Sequence, residues 1–140
     1  MESSKLYKLK LNTLEEAIQT FEASLNIDLK KFSDTEIDTI KSGQIQKFEY
    51  CAELLWKTMQ GYINEIVGED VSGPKPVIKA FFKQKLIDEK IYKILYEIIN
   101  ARNTLAHVYD KTRFEEIYKK LFEYLPIIKE TTKVIKGQNN

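Results

Sequence analysis

An all-α fold, an antiparallel up-and-down bundle of about five helices, is predicted by three features of the chain. Apolar residues recur at three- and four-residue spacing in segment after segment, the period of a helix with one buried face. The five glycines and three prolines fall mostly where one apolar stripe ends and the next begins. No stretch shows the apolar–polar alternation of a half-buried strand.

The elements follow in order. A first helix is expected from about Ser4 to Ile27, on the stripe Leu14, Ile18, Phe21 and Leu25. A polar link with Lys30, Lys31, Ser33 and Asp34 precedes a long second helix, from about Thr35 to Val67. Its stripe is Ile45, Phe48, Ala52, Leu55, Met59, Tyr62 and Ile66, the seam of a helix lying nearly along its neighbour. Ser42-Gly43 is the expected point of disturbance in it. Gly68 to Gly73 reads as a loop, and Pro74 or Pro76 sits in the first turn of a third helix reaching about Leu86. Asp88 is the expected cap of a fourth, with Ile91, Ile94, Leu95, Ile98 and Ile99. A fifth begins at Lys111 or Thr112 and runs to about Ile135, with a bend expected at Pro126, which lacks a backbone donor.

Length and composition set bounds. A chain of 140 residues buries roughly two-thirds of its unfolded surface on folding. One domain over 1–136 is therefore expected, with a frayed tail at 137–140. With 43% hydrophobic and 31% charged residues, a disordered composition is excluded. A net charge of +1 means that any nucleic-acid contact rests on a local patch. The single cysteine, Cys51, excludes an intrachain disulfide and a thiolate zinc cluster; beside the apolar stripe, it reads as an inert packed thiol. No apolar run approaches the ~20 residues of a membrane span, and Met1-Glu2-Ser3-Ser4 leads into a charged segment without an apolar signal region. A cytoplasmic protein with no membrane contact is the expectation.

Chemistry concentrates in Arg102-Asn103-Thr104-Leu105-Ala106-His107-Val108-Tyr109, which holds the only histidine. Histidine titrates near neutral pH, and a neighbouring arginine suits a phosphate. Arg102 continues the spacing of Ile91, Leu95 and Ile98, so it emerges at the end of an apolar face. His107, five positions on, lies roughly 140° away around a regular helix; a helix ending or distorting at Ala106–Val108 would bring the two together. Asn103 adds an amide at the same rim. Cleavage of RNA by its own 2′-hydroxyl needs a proton acceptor, a proton donor and positive charge at the phosphorus. One histidine does not fill both proton roles, so this chemistry calls for a two-fold homodimer with two copies of His107 and Arg102 in one cleft. The plainer reading is a helix-end salt bridge, a satisfied imidazole and a half-buried Tyr109.

Two further clusters carry alternatives. Lys75, Lys79 and Lys83 are spaced four apart, with Lys85 nearby and no acidic residue from Val71 to Ile87. Lys79 and Lys83 are candidate contacts to RNA phosphates; the plainer reading is the solvated face of a helix. Glu49 and Glu53 lie one turn apart and could ligate Mg²⁺, but Lys57 one turn further favours a salt-bridged surface. Trp56 fits a core or dimer interface, or the stacking of a base. Neither a metal nor a cofactor is expected.

The motif resembles the Arg-x4-6-His signature of the HEPN superfamily, in the Arg-x4-His-x-Tyr form of HepT-type toxins. Ile45-Gln46-Lys47-Phe48-Glu49-Tyr50-Cys51-Ala52-Glu53-Leu54-Leu55-Trp56-Lys57 resembles a helix of nucleotidyltransferase substrate-binding proteins. Pro76-Val77-Ile78-Lys79-Ala80-Phe81-Phe82, followed by Leu86-Ile87-Asp88, is a third similar segment. The resemblance spans about residues 6–128. It implies a HEPN-type homodimeric bundle that works with a separately encoded minimal nucleotidyltransferase. In some such pairs the HEPN member is a metal-independent RNase toxin, and its partner silences it by adenylylating the motif tyrosine, here Tyr109. Arg102 and His107 would then be catalytic and Asn103 would contact substrate. The alternative is a non-catalytic subunit that presents a nucleotide or other substrate to the transferase; a third is a bundle in which the motif only buttresses the dimer. Ala106 stands where the substrate-binding subgroup often has a serine, which removes one possible phosphate donor.

Overall fold

The structure, a computed structural model, describes residues 2–107 and 110–137, and among them there are five α-helices and no strand. They are α1 (Glu2–Leu25), α2 (Asp34–Tyr62), α3 (Pro74–Lys83), α4 (Glu89–His107) and α5 (Lys111–Gly137), with a 3₁₀ turn at Leu29–Lys31 and a π turn at Ile63–Val67. The all-α bundle is thus present. The tail expected at 137–140 lies outside the described residues except for Gly137, which ends α5.

Local chemistry sets the helix ends. Ser33 and Glu36 form a reciprocal capping box at the start of α2, satisfying two otherwise orphaned N–H groups. Asp88 accepts from the Ile91 N–H at 2.9 Å, as expected, and Asp110 does the same for Thr112 ahead of α5. Gly68, with φ of 85°, ends the π turn in the left-handed conformation that glycine adopts without steric cost. Ser42 and Gly43 lie in unbroken α2; the disturbance comes at Ile63–Val67 instead, as the π turn. A single glycine in a long, well-anchored helix costs only about 1 kcal/mol, too little to break it. Helix α5 likewise runs through Pro126. There the carbonyl of Phe122 loses its helical donor, a loss that solvent compensates because this face is exposed.

Side-chain pairs fix the packing. Tyr7 meets Tyr62, and Phe21 meets Phe48, so α1 and α2 run antiparallel. The ion pairs Glu22–Lys129 and Glu15–Lys136 set α5 antiparallel to α1. Phe48 is fully buried and stacks on Tyr124 at a centroid distance of 5.6 Å. Burial of such a ring contributes about 2–3 kcal/mol. One buried polar network ties three helices together. Tyr118 donates to Gln44 Oε1 at 2.6 Å, and Gln44 Nε2 donates to the Ser24 carbonyl at 2.7 Å. A buried glutamine so satisfied fixes register rather than weakening the core. No helix among the described residues is long and apolar enough to cross a membrane.

Candidate functional site

Helices α2 and α4 also cross antiparallel, and this places Glu53 opposite Arg102. The Arg102 guanidinium donates from Nη2 to Glu53 Oε1 at 2.9 Å. The same oxygen accepts from the Trp56 indole at 3.1 Å, and Oε2 pairs with Lys57 at 3.1 Å. Glu53 is therefore a hub with both oxygens occupied. Burial pushes its carboxyl pKa up, but the hydrogen bonds from Trp56 and Lys57 and the charges of Arg102 and Lys57 outweigh that and hold it below the ordinary range. It stays an anion, fixing Arg102 in one orientation while leaving most of the five guanidinium donors available.

Arg102 forms part of a cleft of about 650 Å³ between α1, α2 and α4, lined also by Lys47, Glu49, Tyr50, Glu53 and Ala106. A space of this size accommodates a nucleotide. Glu49 is half-buried there. Burial raises its carboxyl pKa, and the nearby Arg102 only partly offsets the rise. Cys51 is buried in the core; burial, opposed by Lys47, pushes its thiol up to about 12, so it is no thiolate nucleophile at neutral pH.

The predicted site residues divide between two faces. Arg102 is 36% exposed and turns toward α2. Asn103 and His107 are exposed and one turn apart on another face of α4. Asn103 Oδ1 touches Arg102 Nη1 only at 3.5 Å. Helix α4 stays helical through His107. It ends there, inside the expected range of Ala106–Val108, but stays regular up to that residue, and His107 does not line the cleft; Val108 lies outside the described residues. Lys79 and Lys83 are exposed on α3, outside that cleft. Tyr109 lies outside the described residues. Glu49 and Glu53 do not form a carboxylate pair free for a cation, since Glu53 is committed to Arg102, Trp56 and Lys57; no group of three or more His, Cys, Asp or Glu side chains among the described residues is placed to hold a metal. Trp56 is half-buried and turned toward the ion pair.

Sequence reasoning missed the link from Glu53 to Arg102. The available signal was the spacing of Glu49, Glu53 and Trp56 at three and four residues, which puts them on one stripe of α2.

Among known proteins, the family described as nucleotidyltransferase substrate binding protein like matches residues 9–136. The chain belongs to this family. A relative from Haemophilus influenzae, named probable ribonuclease HepT, is 28% identical over 127 residues, 84% of this chain and 86% of the relative. A crystal structure of a Thermus thermophilus protein superposes with a TM-score of 0.76 at 22% identity, covering 87% of this chain and 98% of that one; it supports the fold alone. The matched range, residues 9–136, includes both Glu53 and Arg102.

Proposed function

We propose that this protein is a HEPN-type subunit that acts with a separately encoded minimal nucleotidyltransferase and cleaves RNA without a metal. The observation that carries this reading is the Arg102–Glu53 clamp: an oriented guanidinium, with donors to spare, at the mouth of a nucleotide-sized cleft, five residues before an exposed His107. The family and the relative named as a probable ribonuclease support it.

In this chemistry the 2′-hydroxyl oxygen attacks the adjacent phosphorus, a 2′,3′-cyclic phosphate forms, and the bond to the 5′-oxygen breaks. One proton leaves the 2′-oxygen and another reaches the departing 5′-oxygen. His107 of one protomer takes the first and His107 of a second supplies the second, which requires a homodimer. Arg102 stabilises charge at the phosphorus, and Asn103 orients the scissile phosphate. Tyr109 is the acceptor for AMP from the partner; the added anion would occupy the place of substrate phosphate and stop cleavage. This pairing also fits a cytoplasmic location.

One observation favours a second reading. Because His107 lies outside the cleft that holds Arg102, the cleft also suits a non-catalytic subunit that holds a nucleotide for the transferase. Incubating RNA in EDTA with the wild type, His107→Ala and Arg102→Ala separates the two. Cleavage by the wild type alone, with cyclic phosphate ends, is the expected result. Intact RNA in all three leaves the binding subunit as the function, and a requirement for Mg²⁺ removes the metal-free chemistry.

A further inference from the structure

Helices α3 and α4 carry a surface that lies outside the cleft. Phe82 at the end of α3 is exposed and stacks on Tyr92 of α4 at a centroid distance of 4.7 Å. Tyr92 in turn meets Tyr96 at 5.0 Å. Along this ladder runs the α3 lysine row. Lys75, Lys79 and Lys83 are exposed and recur every ~6 Å along the helix, and Lys75 Nζ sits 5.7 Å from the centre of the Tyr96 ring.

The α3 row differs from the ion-paired lysines of the bundle. Lys41, Lys57, Lys93, Lys120, Lys129 and Lys136 are each paired with a carboxylate. Among the described residues, none of the three α3 lysines has such a partner. Of the carboxylates that flank α3 in sequence, Glu69 accepts from Gln84, Asp88 from the Ile91 N–H, and Glu89 pairs with Lys93; neither these nor the exposed Asp70 forms an ion pair with a lysine of the row. The row is thus an uncompensated cationic strip beside an aromatic ladder.

The ladder also points somewhere. Seven and eleven residues beyond Tyr96 around a 3.6-residue helix are Asn103 and His107, each within about 20° of its direction. Tyr96, Asn103 and His107 therefore share one face of α4, whereas Arg102 faces α2.

We propose that this face of α3 and α4 is a track for single-stranded RNA, with bases stacking on the Phe82–Tyr92–Tyr96 ladder, phosphates on Lys75, Lys79 and Lys83, and the strand led along α4 to Asn103 and His107. Unpaired bases offer the exposed π-faces that such a ladder takes, and a lysine row follows a backbone without reading sequence. The inference rests on the RNA-cleaving reading above.

The test is fluorescence anisotropy with a short fluorescein-labelled 2′-O-methyl oligoribonucleotide, single-stranded or annealed to its complement. Lacking a 2′-hydroxyl, it cannot be cut, so binding is measured apart from cleavage. Preference for the single strand is expected. Phe82→Ala should weaken binding roughly tenfold, with Phe82→Tyr close to wild type as the control for folding. Lys79→Glu with Lys83→Glu should weaken binding and lower the slope of log affinity against log salt by about 1.4. Wild-type affinity and salt slope in these variants, or no binding by the wild type, would overturn the track. So would loss of nucleotidyltransferase binding in the same variants with RNA binding intact, which assigns the face to a protein. The RNA-cleaving reading fails separately, through native RNA left intact in EDTA.

Discussion

Glu53 Oε1 lies 2.9 Å from Arg102 Nη2 and 3.1 Å from the Trp56 indole nitrogen. One carboxylate oxygen on α2 therefore decides where the arginine of α4 points. Replacing it in Glu53→Gln keeps the size and an acceptor but removes the charge. The pair is partly exposed, so the expected stability loss at pH 7 is about 1 kcal/mol, a fall of roughly 3–4 °C in Tm. Glu53 has a folded pKa below its unfolded value. Its contribution is thus fully present above the unfolded value and is lost as pH falls through the folded one. Wild type and variant should converge in acid, read by urea denaturation across pH. RNA cleavage should drop by at least tenfold at neutral pH through misplacement of Arg102. Undiminished cleavage would remove the clamp from the mechanism.

Glu49 has the opposite sign. Burial raises its pKa in the folded state despite Arg102. Below the unfolded value both states hold the proton and nothing is lost. As pH rises through the unfolded value toward the folded one, the unfolded chain ionises first and the fold loses stability; above the folded value the loss is constant. Glu49→Gln should therefore be more stable than wild type at pH 7 and equal to it below about pH 4. Denaturation midpoints at the two pH values check this, and equal midpoints at both would mean that the carboxyl is well hydrated.

The helices were legible in the sequence because each buries a stripe at helical spacing, and that pattern outlasts local irregularities. Gly43 and Pro126 misled because propensity is a weak force against tertiary anchoring: Phe48 on α2 and Ile128 on α5 are fully buried close to them and hold each helix in place. Arg102 was legible as the end of an apolar face. Its partner was not, because the Glu49–Glu53–Trp56 spacing marks a stripe of α2 but nothing in the sequence says that this stripe faces α4. The expected approach of His107 to Arg102 depended on the helix ending or distorting at Ala106–Val108; α4 does end at His107, yet its regular course up to there leaves His107 outside the cleft. The aromatic ladder was equally hidden, since Phe82 and Tyr92 meet only after α3 folds back on α4.

Gly61 and Gly43 make a matched pair on α2. A Cβ on Gly61 would stand 2.9 Å from Tyr7 Cβ, whereas one on Gly43 would meet nothing within 4 Å. Gly61→Ala must force α1 from α2, at a cost of about 1–3 kcal/mol that outweighs or cancels the gain in helix propensity. Gly43→Ala collects that gain alone, about 1 kcal/mol. Thermal melts should move in opposite directions for the two, or stay level for Gly61→Ala. A Gly61→Ala protein gaining as much as Gly43→Ala would show that the helices do not approach this closely.

Lys85 is the one non-glycine residue with positive φ among the described residues, at 59°. It follows α3, where the Leu86 N–H bonds to the Phe81 carbonyl and the Lys85 N–H to the Phe82 carbonyl, both at 3.0 Å. Those two bonds form a Schellman ending, in which this position usually holds glycine. A side chain in the left-handed region costs roughly 1–2 kcal/mol, while glycine costs the unfolded chain more entropy. The balance favours Lys85→Gly by about 0.5–1 kcal/mol, a rise of roughly 2–4 °C in Tm. Lys85→Asn, which tolerates this conformation better than lysine, should fall between. Lys85→Ala supplies the control, since it removes the long charged chain without relieving the backbone. If alanine stabilises as much as glycine, the gain comes from charge and not from the turn.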